Sequence, residues 1–160
     1  MVRTTKARQA LLTEAGYAMQ AYQRSTQAFD DAVGRALGVN PTDLRALDWL
    51  VDGPKSAGQL SVGTGLSTAA TTDLIDRLAQ KGFVRRVADP ADRRRVLVEM
   101  TEEGAARVGR FYGPLVEEGN ELLADVNDDQ LAWMRDWLVA ARRLTDRHRQ
   151  RLEERSDPSL

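Results

Sequence analysis

Seven basic side chains, Arg77, Lys81, Arg85, Arg86, Arg93, Arg94 and Arg95, fall within one short stretch of a 160-residue chain, against two acids, Asp89 and Asp92. That stretch carries +5, while the remainder of the chain carries −6. Localised positive charge in an otherwise acidic protein is what a phosphate-binding face needs, because each neutralised phosphate releases a counterion. Taken alone, such a run also fits a merely solvated surface, so the elements that position it decide between the two.

Other chemistries have little to work with. There is no cysteine, which excludes disulfides, thiolate metal sites and thiol redox sensing within the chain. His148 is the only histidine; it falls on the apolar seam of a C-terminal helix, a place for a packed or interfacial imidazole rather than for a general base. The glutamate pairs Glu102/Glu103 and Glu117/Glu118 are adjacent in sequence, so on a helix they project in different directions and form no two-carboxylate site. No enzyme activity, metal or cofactor is expected.

Apolar residues recur at helical spacing from Leu12 through Met19, Phe29 and Val33 to Leu37, predicting one long helix stopped by Gly38. Asn40-Pro41 caps a second helix with Leu44, Leu47, Leu50 and Val51 on one face, ending at Gly53-Pro54. Ser56 and Gln59 have the form of a capping box and open a short helix carrying Leu60. Gly63 and Gly65 are expected to make the turn into a helix capped by Ser67, with Leu74, Ile75 and Leu78 buried and Lys81-Gly82 at its end.

Phe83–Ala88 and Arg95–Met100, rich in β-branched or aromatic residues, flank the turn-forming Asp89–Arg94 and predict a hairpin. Two further helices follow. The first carries Val108, Phe111, Leu115, Leu122 and Val126, with a kink expected at Gly113-Pro114. The last carries Leu131, Met134, Leu138, Ala141, Leu144, His148 and Leu152 along one seam.

Helix, short helix, turn, helix and hairpin make a winged helix-turn-helix, whose second helix enters the major groove of DNA while the hairpin reaches the backbone or minor groove. Ser67, Thr68, Ala69, Thr71 and Thr72 lie near the N-terminus of that second helix, where hydroxyls, small side chains and the helix dipole suit bases and phosphates. Ser67 serves as cap and contact together. Arg77, Arg85 and Arg86 are candidates for phosphate contacts. Arg93, Arg94 and Arg95 sit at the hairpin tip, from which a guanidinium can enter a narrow minor groove. Asp92 is expected to pair with an arginine and hold the wing in place. Asp73 and Asp76 would repel the backbone, so they must turn toward the protein, an arginine or a cytosine amino group.

Asp92-Arg93-Arg94-Arg95-Val96-Leu97-Val98-Glu99-Met100-Thr101, preceded by Asp89-Pro90 and followed by Gly104, resembles the wing signature of the MarR family of bacterial regulators, with Met100 where a leucine is usual. Leu66-Ser67 through Asp76-Arg77-Leu78, followed by Gly82-Phe83-Val84, is similar to that family's recognition helix and its exit, although the family often carries an arginine where Asp73 stands. The resemblance runs from about Ala15 to Leu152. It implies a homodimer with interlocking N- and C-terminal helices, Leu12, Leu131, Leu138 and Leu144 being the dimerisation candidates. It also implies Arg94 as the minor-groove arginine, Asp92 as its structural companion, and a small aromatic ligand in a cleft lined from among Tyr17, Tyr22, Trp49, Phe111 and Tyr112.

The fold expected is therefore mostly α with a small β-hairpin wing: a winged helix-turn-helix domain over 40–101, helical dimerisation segments over 1–37 and 102–155, and a flexible tail over 156–160. The function expected is a sequence-specific double-stranded DNA-binding regulator, a homodimeric repressor on a pseudo-palindromic operator, relieved by a ligand. The competing reading is a winged-helix module for protein contacts without sequence-specific DNA binding. No apolar run reaches the length of a membrane span and the N-terminus is polar, which predicts a cytoplasmic protein with no membrane partner.

Overall fold

A computed structural model describes residues 5–92 and 94–155. Arg93 and the tail 156–160 lie outside the described residues. The chain divides into two compact units, residues 1–113 and 114–160, and each is taken by itself.

In the first unit, α1 (Lys6–Leu37) starts at Thr5, whose hydroxyl accepts the Arg8 N–H, and stops at Gly38 in the left-handed conformation. Asn40 caps α2 (Pro41–Val51) by accepting the Asp43 N–H at 2.8 Å, with proline at the first helical position, where its missing N–H costs nothing. Ser56 and Gln59 form the expected capping box of α3 (Ala57–Thr64), and Ser67 caps α4 (Thr68–Gln80). Strands β2 (Val84–Ala88) and β3 (Val96–Met100) pair antiparallel, Arg85 opposite Glu99 and Val87 opposite Leu97. A third strand, β1 (Lys55–Ser56), pairs with the other edge of β3, giving the order β1-β3-β2. The sequence reading lacks β1, because two residues after a Gly-Pro are too few to show alternation.

Gly63 corrects a second expectation. It lies inside α3, and the turn is made by Gly65 at φ 75°. A Cβ on Gly63 would sit 2.5 Å from the Trp49 ring, so this glycine is there to let α2 and α3 approach.

One core serves the whole first unit. Leu44, Leu47 and Leu50 of α2 meet Leu60 of α3, Leu74, Ile75 and Leu78 of α4, Phe83, and Val84 and Val98 of the sheet. Val33 and Leu37 are buried in the same core, so the last turns of α1 anchor the long helix to the winged domain. Each fully buried leucine or phenylalanine contributes about 1.5–3 kcal/mol relative to its exposed form. Thr101 joins the wing to α5 (Glu102–Leu122): its Oγ1 donates to the Gly82 carbonyl at 2.6 Å and accepts the Gly104 N–H at 2.9 Å. Gly104 follows because a Cβ there would overlap the Phe83 backbone.

The helical assignment of α5 continues through Pro114, where the sequence suggested a kink, and the division between units falls at the same dipeptide. In the second unit, Asn127 and Gln130 exchange side-chain and backbone hydrogen bonds to start α6 (Asp128–Arg155). No residue of α6 is buried.

Candidate nucleic-acid interface

The recognition helix α4 sorts its N-terminal residues by face. Ser67, Thr68, Ala69, Thr72 and Asp73 are exposed. Positions 68, 69, 72 and 73 are spaced three and four apart and so share one face. Thr71 is not on it. That residue is 1% exposed and its hydroxyl donates to the Ser67 carbonyl at 2.9 Å, so the expected DNA contact is a core side chain. The Thr72 hydroxyl donates to Thr68 O at 3.1 Å, which leaves its oxygen able to accept. Ser67 Oγ accepts the Ala70 N–H at 3.3 Å, the cap the sequence predicts.

The basic stretch is largely neutralised within the protein. Arg77, expected at a phosphate, grips the fully buried Asp43 with both Nε and Nη2, the Nε contact being 3.0 Å. The Asp43 hydrogen bond, first among the causes, raises the guanidinium pKa further above its ordinary value. Arg77 is thus a clamp between α4 and α2. Lys81 donates to the Gly38 carbonyl. Arg85 meets Glu99 at 2.7 Å across the strands, and Arg86 meets Asp76 at 2.7 Å. Asp76 therefore turns to an arginine, one of the options its sequence position left open. Pairs as exposed as the Arg85 and Arg86 bridges are worth about 0–1 kcal/mol, so a phosphate can replace the carboxylate at little cost.

At the wing tip both aspartates serve the backbone. Asp89 Oδ1 accepts the Ala91 N–H at 2.9 Å, and Asp92 Oδ1 accepts the Arg94 N–H at 3.0 Å. The Arg95 N–H reaches the Asp92 carbonyl at 2.9 Å and its guanidinium stands 3.8 Å from Asp89. Such Asx turns fix a tight loop locally. Among the described residues, Asp92 supports the wing through the backbone amide of Arg94 and pairs with no guanidinium. Arg94 itself is exposed and pairs with no acid among the described residues. Among the described basic residues of the stretch 77–95 it is the one whose side chain is held by no partner in the protein.

The remaining expectations concern apolar side chains. A cavity of about 480 Å³ lies between α2 and the first half of α5, lined by Leu44, Leu47, Asp48, Leu50, Val51, Met100, Ala105, Val108, Gly109 and Tyr112. Of the five aromatic residues proposed for a pocket, only Tyr112 lines it. Trp49 faces the opposite way, against Gly63, because one residue along a helix turns the side chain by about 100°. Tyr17, Tyr22 and Phe111 are exposed and stand outside this cavity. Tyr112 packs edge-on against Phe29 at 5.4 Å and donates to Asp30 at 2.7 Å. Burial and the Asp30 carboxylate both push its phenol pKa well above the ordinary range.

The dimerisation candidates are open on each unit: Leu12 is 53%, Leu138 49% and Leu144 50% exposed, and Leu131 is half-buried. Exposed beside them in sequence are Leu11, Tyr17 and Tyr22 in α1, and Trp133, Trp137 and Val139 in α6.

Comparison with known proteins places this architecture. A family model described as MarR family matches residues 37–95, the span from the end of α1 to the wing tip. The Bacillus subtilis protein YcgE, an uncharacterized HTH-type transcriptional regulator, is 35% identical over 130 residues, covering 81% of this chain and 84% of YcgE. The chain belongs to the MarR family. The HTH-type transcriptional repressor NicR of Pseudomonas putida is 37% identical over 90 residues, 54% of this chain and 55% of NicR. A solved MarR family protein from Bacillus stearothermophilus shares the fold, with a TM-score of 0.63 at 20% identity over 86% of this chain and 97% of that one. Like its relatives, this MarR chain is a helix-turn-helix transcriptional regulator by family. Among its described residues, no helix is long and apolar enough to cross a membrane.

Proposed function

We propose that this MarR-family chain is a sequence-specific double-stranded DNA-binding repressor that acts as a homodimer on a pseudo-palindromic operator and is relieved by a small ligand. The observation that carries the DNA-binding reading is the pairing of an exposed small-residue face on α4 (Thr68, Ala69, Thr72) with an exposed Arg94, which no described acid pairs, on a wing stiffened by Asp89 and Asp92. In this reading α4 enters the major groove, Arg94 and Arg95 reach the minor groove, and Arg85 and Arg86 exchange their carboxylates for phosphates. Arg93, between them in sequence, joins the wing contacts.

Dimerisation is supported by the exposed leucines and aromatic residues of α1 and α6, more apolar surface than a soluble monomer ordinarily leaves open. In this reading residues 1–37 and 102–155 form the dimerisation region, and residues 40–101 the DNA-binding domain. The repressor assignment leans on the name of the Pseudomonas relative. Relief by a ligand leans on the cavity against α2, since a ligand there that favours one placement of α2 and α5 over another would shift the population that binds DNA.

Selection of bound sequences from a random DNA pool tests this reading. Two inverted half-sites with centres about 10 base pairs apart are expected. A pool with no enriched motif would favour the protein-contact module instead.

A further inference from the structure

The cavity between α2 and α5 has one charged wall. Leu44, Leu47, Leu50, Val51 and Val108 are apolar, and Asp48 is the single ionisable carboxylate among the lining residues. Among the described residues its carboxylate makes no hydrogen bond or ion pair. Its charged surroundings are mainly acidic: Asp30 and Asp52 both raise its pKa, after burial, and Asp31 lies with Asp30 and Asp48 in an adjoining recess. The one basic side chain of that recess, Arg45, donates instead to the Thr64 carbonyl at 3.5 Å. Asp30 already accepts the Tyr112 hydroxyl. At Gly109 an added Cβ would meet nothing within 4 Å, so the α5 side of the cavity is open space.

We propose that this cavity binds an organic cation with a compact apolar body, the body filling the space between α2 and α5 and the charge meeting Asp48. The volume suits a small drug-sized molecule. Apolar walls supply the affinity, and an unneutralised carboxylate with like charges behind it selects the sign: a cation relieves that repulsion, whereas an anion adds to it. This rests on the reading of the chain as a ligand-responsive regulator and names the ligand class that reading leaves open.

Calorimetric titration of the full chain at neutral pH with three probes of matched size tests it: 2-naphthylmethylammonium, 2-naphthylmethanol and 2-naphthoate. The ammonium probe is expected to bind about tenfold tighter than the alcohol, with the carboxylate weakest. Asp48→Asn should remove that preference and leave the alcohol's affinity within about twofold, since only the charge term is lost. Gly109→Leu, with circular dichroism to verify folding, should abolish binding of the ammonium probe by filling the cavity. Equal affinity for cation and alcohol, tightest binding of the anion, or a preference that survives Asp48→Asn would overturn the cation inference while leaving a ligand site. Binding of none of the three would overturn the ligand site as well, and DNA binding would still be judged on its own assay.

Discussion

Replacing Arg77 with alanine separates two roles that one arginine could fill, a phosphate contact and an internal clamp. The Asp43 side chain is 1% exposed and that of Arg77 39%, so removing the guanidinium leaves a carboxylate sealed away from water with its strongest partner gone. Breaking a buried ion pair from one side costs about 3–5 kcal/mol. Here the arginine face is open to solvent and water can replace part of it, which brings the cost to about 2–3 kcal/mol. For a chain of this size that corresponds to a fall in Tm of about 5–10 °C. Thermal melts followed by circular dichroism should show this loss for Arg77→Ala. The double variant Asp43→Asn with Arg77→Ala should recover part of it, because the orphaned charge is gone. An Arg77→Ala variant that melts like the parent but loses affinity for DNA would refute the clamp and return Arg77 to the interface.

Three further outcomes follow from packing and charge. Gly104→Ala should cost about 1–3 kcal/mol despite alanine's better helix propensity, because the new Cβ meets the Phe83 backbone, which cannot swing aside; an unchanged melt would contradict that close approach. Charged substitution at Leu12 or Leu138 should turn a dimer into monomers or aggregates in sedimentation, and a well-behaved dimer in both variants would remove these helices from the interface. Burial and then Asp30 and Asp52 raise the Asp48 pKa above 3.8; the native state therefore holds this proton more tightly than the unfolded chain, and ionisation costs stability as pH rises through that window. Asp48→Asn should accordingly raise Tm at neutral pH, the gain shrinking as pH falls through the raised native pKa and gone below about pH 4, and a lowered Tm at pH 7 would show the carboxylate to be stabilising.

Elements with local signals were readable from the residues. Asn40-Pro41, the Ser56/Gln59 box, Ser67 and Gly38 cap helices through bonds spanning at most a few residues, so their spacing in the chain is their spacing in space. Strand ends fell within a residue of expectation, as the wing is closed by Asx turns whose chemistry is equally local. Contacts between distant residues were not legible. Arg77 and Asp43 are 34 positions apart and Tyr112 and Asp30 are 82 apart, and nothing in a run of basic residues says which of them already has a partner. The same limit explains Thr71, which looks like its neighbours in sequence but lies on the helix face turned to the core. It also explains the pocket: aromatic type suggested Tyr17, Tyr22, Trp49, Phe111 and Tyr112, of which Tyr112 alone lines the cavity, with aliphatic residues of α2 and Ala105, Val108 and Gly109 of α5.

The most direct test of the central claim is fluorescence anisotropy of the full chain with its selected operator and with scrambled DNA, from about 50 to 200 mM salt, for the parent and for Arg94→Ala. Operator binding at about 10⁻⁸ M and at least about 10³-fold tighter than scrambled DNA is predicted, with a salt slope that Arg94→Ala makes shallower by about one. Equal affinity for both DNAs, or a salt dependence that Arg94→Ala leaves untouched while affinity is unchanged, would contradict a DNA reader with Arg94 at its wing.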